Sequence, residues 1–141
     1  MNSDKDADQD VLSQLDETVN AINSHRDWRA QKRAEEEAQL NQAWQSVLDA
    51  AKTLRTKLKD SEKLRYFSIS REQDQVAVSF RRGGGGSHLL TLYRHHPEDK
   101  FPTTVAIWAR EEGLMDRRFQ SGKEAVQCLV QHCAVNITSK S

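Results

Sequence analysis

Apolar residues recur at two different periods along this chain. From Asp10 onward, Leu12, Leu15, Val19 and Ile22 step by three, four and three residues, one stripe on a short amphipathic helix. Asn23-Ser24 interrupts the stripe, and Ser24 with Asp27 three residues on reads as a capping box opening a second helix. Neither glycine nor proline follows until Gly83. Residues 25–39 are almost wholly polar, with Trp28 as their one large apolar side chain. Leu40, Trp44, Val47, Ala51, Leu54 and Leu58 then step by four and three in alternation. That stripe suits a helix lying on a sheet and equally one pairing with another helix.

Near Tyr66 the period falls to two. Residues 66–70 have strand composition, and 71–74 form a polar turn. Val76, Val78 and Phe80 share one face of a strand over 75–80. After the tip 81–87, residues 88–93 return antiparallel. Pro97 and Pro102 bracket a loop, 103–109 is another β-rich run, and 114–120 suits a short last strand. Ser121 and Glu124 form a second capping box before a helix with Ala125, Val126, Leu129, Val130 and Cys133 on one stripe.

Runs of helix beside runs of strand predict an α+β fold. It has an N-terminal helical arm, an antiparallel meander of three to four strands and a C-terminal helix on the sheet. The expected division is an acidic tail and polar helical arm over 1–39, a core domain over 40–135 and a flexible tail over 136–141. Residues 1–8 are expected to be disordered. With a helix cemented to the sheet by its 40–58 stripe, no room is expected for a reactive cavity; a water-lined cleft gathering His88 with acidic neighbours would contradict this.

The 141 residues carry 21 Lys+Arg and 21 Asp+Glu, a net charge of zero that hides a gradient. Residues 1–20 carry six acids and one base; residues 52–94 carry ten bases and four acids. An acidic arm therefore precedes a basic segment able to attract phosphate backbones or an acidic partner. No apolar run reaches the roughly 18 residues of a membrane span, and MNSDKDADQD has no apolar signal region. A cytoplasmic address with no membrane association is expected.

Candidate chemistry is sparse. Cys128 and Cys133 lie five apart on one helix, about 140° around it, so they point in different directions and read as buried structural thiols. The Gly83–Gly86 run precedes a strand, whereas phosphate-cradling loops precede a helix, and with Ser87 it has flexible-linker composition. His88 and the His95-His96 pair sit at opposite ends of one strand, about 20 Å apart, which opposes a site built from all three. No metal ligand, cofactor or catalytic residue is assigned, and no enzyme is expected.

The order helix, three strands, helix resembles that of double-stranded RNA-binding domains, which grip phosphates with a basic helix start and a loop between strands. Here the last helix opens on one base, Lys123, followed by Glu124, and the turn 71–75 lacks the expected Pro/His loop, so membership is not assigned. Tyr93 and Trp108 are candidates for stacking single strands if exposed. Composition resembles accessory proteins of bacteria and their mobile elements. The expected function is binding: to a protein partner or to itself as a homo-oligomer, through Trp28, Leu40, Trp44 and Val47. The alternative is RNA or DNA binding through Lys52, Arg55, Lys57, Lys59, Lys63, Arg81 and Arg82.

Overall fold

The computed structural model describes residues 3–95, 98 and 106–138, with side chains from Asp6 onward. The elements are α1 (Ser3–Leu58), β1 (Leu64–Ile69), β2 (Gln75–Arg81), β3 (Ser87–Tyr93), β4 (Ile107–Glu111), β5 (Arg117–Phe119) and α2 (Gly122–Thr138). The fold is α+β, as the two periods predict. The strands form one antiparallel sheet in the order β1-β2-β3-β4-β5, so the meander has five members rather than three or four. The last member, β5, falls within the short strand expected over 114–120; it is only three residues long and pairs Ile107 with Phe119. The part of the β-rich run at 103–105 lies outside the described residues.

Three further expectations are corrected. Asn23 and Ser24 lie inside α1, which is not divided there. Both are mediocre helix formers, costing roughly half a kcal/mol each relative to alanine, too little to break a helix without glycine or proline. The helix already runs from Ser3, where order was not expected; Asp6 and Asp8 sit near its N-terminal end, favourable for its positive pole. At the other terminus α2 reaches Thr138, and Asn136 is buried, its Nδ2 donating to the His132 carbonyl at 2.7 Å.

The chain forms two units, Met1–Glu37 and Ala38–Ser141. In the first, Leu12, Leu15, Val19, Ile22 and Trp28 are all exposed. The second contains the whole core. Leu40, Trp44, Val47, Leu48, Ala51 and Leu58 of α1 meet Val76, Val78 and Phe80 of β2, Leu90 and Leu92 of β3, Ile107 and Ala109 of β4, and Ala125, Cys128, Leu129 and Cys133 of α2. Strand register explains the selection: Phe80 pairs with His88, Val78 with Leu90 and Val76 with Leu92, so these residues share the helix-covered face. Burying each large member fully stabilises the fold by about 1.5–3 kcal/mol before entropy is counted. Trp44 also donates its Nε1 hydrogen to the Gln73 carbonyl at 2.6 Å, tying α1 to the β1–β2 turn, where Gln73 holds a φ of 59°.

Candidate functional site

Strand alternation places three polar side chains on the helix-covered face of the sheet, in phase with the core. His88 is in phase with Leu90 and Leu92 on β3. Glu111 pairs with Leu90 and is in phase with Ile107 and Ala109 on β4. Arg117 pairs with Ala109 from β5. Above them α2 presents His132, three residues beyond Leu129 and one before Cys133, and its side chain is 2% exposed.

These groups converge. His88 Nε2 lies 2.9 Å from Glu111 Oε1, and His132 Nδ1 lies 3.3 Å from the same oxygen. The two imidazole rings meet edge to face at 4.7 Å between centroids. Arg117 Nη2 donates to the other carboxylate oxygen, Oε2, at 3.2 Å and to Cys128 Sγ at 3.1 Å. His132 Nε2 is buried and has no hydrogen-bond partner. A cavity of about 190 Å³ opens beside the group, lined also by Gln131, Val135 and Asn136. This corrects the expectation that helix docking leaves no room for a cavity. His88 does meet an acidic neighbour there, because Leu90 pairs with Glu111 and so brings β4's last residue alongside β3.

The electrostatics follow from burial. Desolvation lowers the His132 pKa below its ordinary 6.5; the hydrogen bond to Glu111 opposes that, and His88 acts both ways, its charge lowering the value and its backbone raising it. The ring is therefore neutral at pH 7, with a lone pair available on one nitrogen. Burial raises the Cys128 thiol, against the pull of Arg117, and pushes Cys133 up to about 11. Both cysteines are free and buried, and both are thiols at neutral pH, which disfavours a nucleophilic role.

The sequence-predicted residues are dispersed. Leu40, Trp44 and Val47, expected as partner contacts, are 5%, 4% and 0% exposed within the protein's own core. A partner reaches them only by unpacking it. Trp28 is exposed, with Lys32 Nζ 5.0 Å above its ring and His25 stacked at 5.9 Å. At about 100° per residue it lies on the side of α1 away from Leu12, Leu15, Val19 and Ile22.

Lys52, Arg55, Lys57, Lys59, Arg81 and Arg82 are exposed, and Lys63 is half-buried with its Nζ donating to the Ile137 carbonyl at 3.2 Å. Lys63 and Arg81 adjoin, the Arg81 amide donating to the Lys63 carbonyl at 2.8 Å. Both thus sit where β1 begins and β2 ends. The opposite face of the sheet carries Tyr66, Tyr93, Trp108 and Arg110, with Arg110 5.9 Å from the Tyr93 ring centroid. Tyr93 and Trp108 are half-buried and stand outside the core cluster. A groove of about 540 Å³ runs there between Arg65, Tyr66, Leu89, Tyr93, Arg110 and Glu112. Arg110 is already engaged, making two 3.1 Å contacts to Asp116 and one of 3.2 Å to Glu98.

The sequence places His88 at a strand end and gives no sign that Glu111 and His132 are its neighbours. The signal that finds them is phase: each is polar at a position where its element's period demands an apolar residue. His95 is exposed, and His96 lies outside the described residues.

Comparison with known proteins assigns no relative: no family model matches, and neither a curated protein nor a solved structure matches the chain. Among the described residues, no helix is long and apolar enough to cross a membrane.

Proposed function

We propose that this is a non-enzymatic, cytoplasmic binding protein that works as a self-associated pair, joined through residues 6–29 of α1. The observation that carries this reading is the exposed stripe. Leu12, Leu15, Val19 and Ile22 are 44–57% exposed on a helix segment that belongs to neither sheet nor core. Isolated helices are marginal in water, and an apolar stripe of this spacing is stabilised by facing another like it.

Charge selects the orientation. Antiparallel pairing sets Leu12 opposite Ile22 and Leu15 opposite Val19 of the second copy. It also brings Asp6 and Asp8 opposite the segment holding Arg26 and Arg29. Parallel pairing would lay the acidic ends side by side. Eight half-exposed apolar side chains contribute on the order of 8 kcal/mol when covered. Association costs about 4–15 kcal/mol in lost freedom, so the pair is weak and concentration-dependent.

Sedimentation equilibrium of the full chain tests this. The mass rises from one chain toward two with concentration, and Leu15→Asp holds it at one. Asp8→Arg and Arg26→Asp each weaken association, and together they restore it. A single-chain mass at every concentration, or a dimer indifferent to Leu15→Asp, rejects the reading.

One observation favours a second reading. The groove beside Tyr66 and Tyr93 opens at the basic end of the sheet through Arg65, a combination suited to single-stranded nucleic acid. That reading predicts affinity for a single-stranded oligonucleotide that falls steeply with salt and is lost in Tyr66→Ala/Tyr93→Ala. Retention of full affinity in that double variant excludes this face.

A further inference from the structure

We propose that His88, Glu111 and His132 form a binding site for a divalent transition-metal ion, zinc being the best match to their donors. The site is separate from the arm and independent of self-association. His88 and His132 each offer one ring nitrogen and Glu111 one oxygen, and these three atoms all lie within 4.8 Å of one another. Ligands of one tetrahedral zinc ion stand about 2.0–2.2 Å from the metal. They are therefore about 3.4 Å from each other, by the geometry of a tetrahedron. The two distances to Glu111 Oε1, 2.9 and 3.3 Å, are close to that spacing. Small side-chain movements open the group around an ion.

Three features of the surroundings fit a metal better than a purely structural cluster. First, both imidazoles address one oxygen of Glu111 and leave the other to Arg117. The guanidinium orients the carboxylate as an outer-shell partner does, while keeping off the ligating oxygen. Second, the His132 side chain is 2% exposed and its Nε2 has no hydrogen-bond partner, a buried polar atom that a self-contained cluster would pair. Third, the adjoining cavity of about 190 Å³ has room for water to complete the coordination. Two nitrogens and one carboxylate oxygen with a fourth position left to water are the donor pattern of an open zinc site. Among the described residues no second carboxylate joins the group, which weighs against calcium and magnesium, since they demand oxygen donors.

The site is anchored on two paired strands and a helix, so it is preformed by folding. Metal binding to the folded chain alone raises its stability by mass action. Arg117, a cation beside the same carboxylate, offsets part of the attraction between Glu111 and the ion.

Titration of the metal-free full chain with zinc chloride, followed by calorimetry and by the imidazole resonances in NMR, tests this. The expected result is one zinc per chain, a higher melting temperature, and shifts confined to the His88 and His132 rings. Cobalt(II) substituted for zinc gives the intense visible bands of tetrahedral coordination. His88→Gln and Glu111→Gln each lower affinity at least tenfold, whereas His25→Ala and His95→Ala leave it unchanged. The proposal is overturned if the folded wild-type chain takes up no zinc, or if zinc perturbs the other histidines and spares His88 and His132. Because that spectroscopic result comes from the wild-type chain, it stands whether or not a variant folds.

Discussion

At single positions the structure turns on how closely backbones approach and which charges are hidden. Gly122 opens α2 against α1, and a Cβ built on it would stand 2.9 Å from both the Cα and the carbonyl oxygen of Ala43. Backbone atoms cannot rotate out of the way. Alanine is the better helix former by about 1 kcal/mol, but overpacking costs about 1–3 kcal/mol, so steric conflict wins. Gly122→Ala should therefore lower the urea midpoint; a higher midpoint would show that the helices are not this close. His132 makes a second prediction. Its folded-state pKa lies below its unfolded one, so between the two the unfolded chain binds the extra proton. The stability from keeping this ring neutral is complete above pH 6.5 and is lost as pH falls toward the folded value. Urea midpoints measured between about pH 7 and pH 5 should decline, and His132→Gln should flatten that slope. Glu111, His88, Arg117 and Cys128 surround the ring and remain in the variant, so the change in slope isolates His132.

At the scale of elements, local period carries most of what can be read from the chain. The alternation Val76, Val78, Phe80 becomes the centre of the sheet, and the 40–58 stripe becomes the helix that covers it, because both patterns are dense and unmixed. β5 is legible only as a suggestion, since three residues hold too little period to identify. The His88, Glu111 and His132 group is hidden for a different reason. Its members are 23 and 21 residues apart in sequence order, and only the β3–β4 register and the docking of α2 bring them together. What the chain does show is three polar residues at apolar-phase positions, a sign of a buried polar site without its address. The tie between α1 and the β1–β2 turn is equally non-local. Trp44 spans 29 residues to reach the Gln73 carbonyl. Trp44→Phe removes that donor and part of the ring, an expected cost of about 1–3 kcal/mol. Hydrogen exchange should then quicken at residues 73–75, where the Gln73 amide donates to the Ser70 carbonyl and the Gln75 amide to the Ser70 hydroxyl; unchanged protection there would mean the tie is not holding the turn.

At the scale of the whole molecule, two units divide the buried core from the exposed stripe proposed for association. Every residue of the core cluster lies between Leu40 and Cys133, inside the unit Ala38–Ser141. The unit Met1–Glu37 contains an apolar stripe and a strong charge asymmetry, and none of its described side chains is buried. A chain beginning at Ala38 should therefore fold and melt cooperatively, retaining the buried Trp44 and its near-ultraviolet signal. Its melting temperature should not depend on concentration. The full chain should behave differently, because a dimer that forms only from helical arms stabilises them more as concentration rises. Far-ultraviolet circular dichroism of the full chain should gain helix on concentration, while the fragment spectrum stays constant. Raising salt should weaken the full-chain effect only modestly. Exposed ion pairs such as Asp8 with Arg26 contribute at most about 1 kcal/mol, and the apolar seam is indifferent to screening. A large loss of association in salt would instead place the driving force in the charges and leave the stripe of Leu12, Leu15, Val19 and Ile22 without its proposed role.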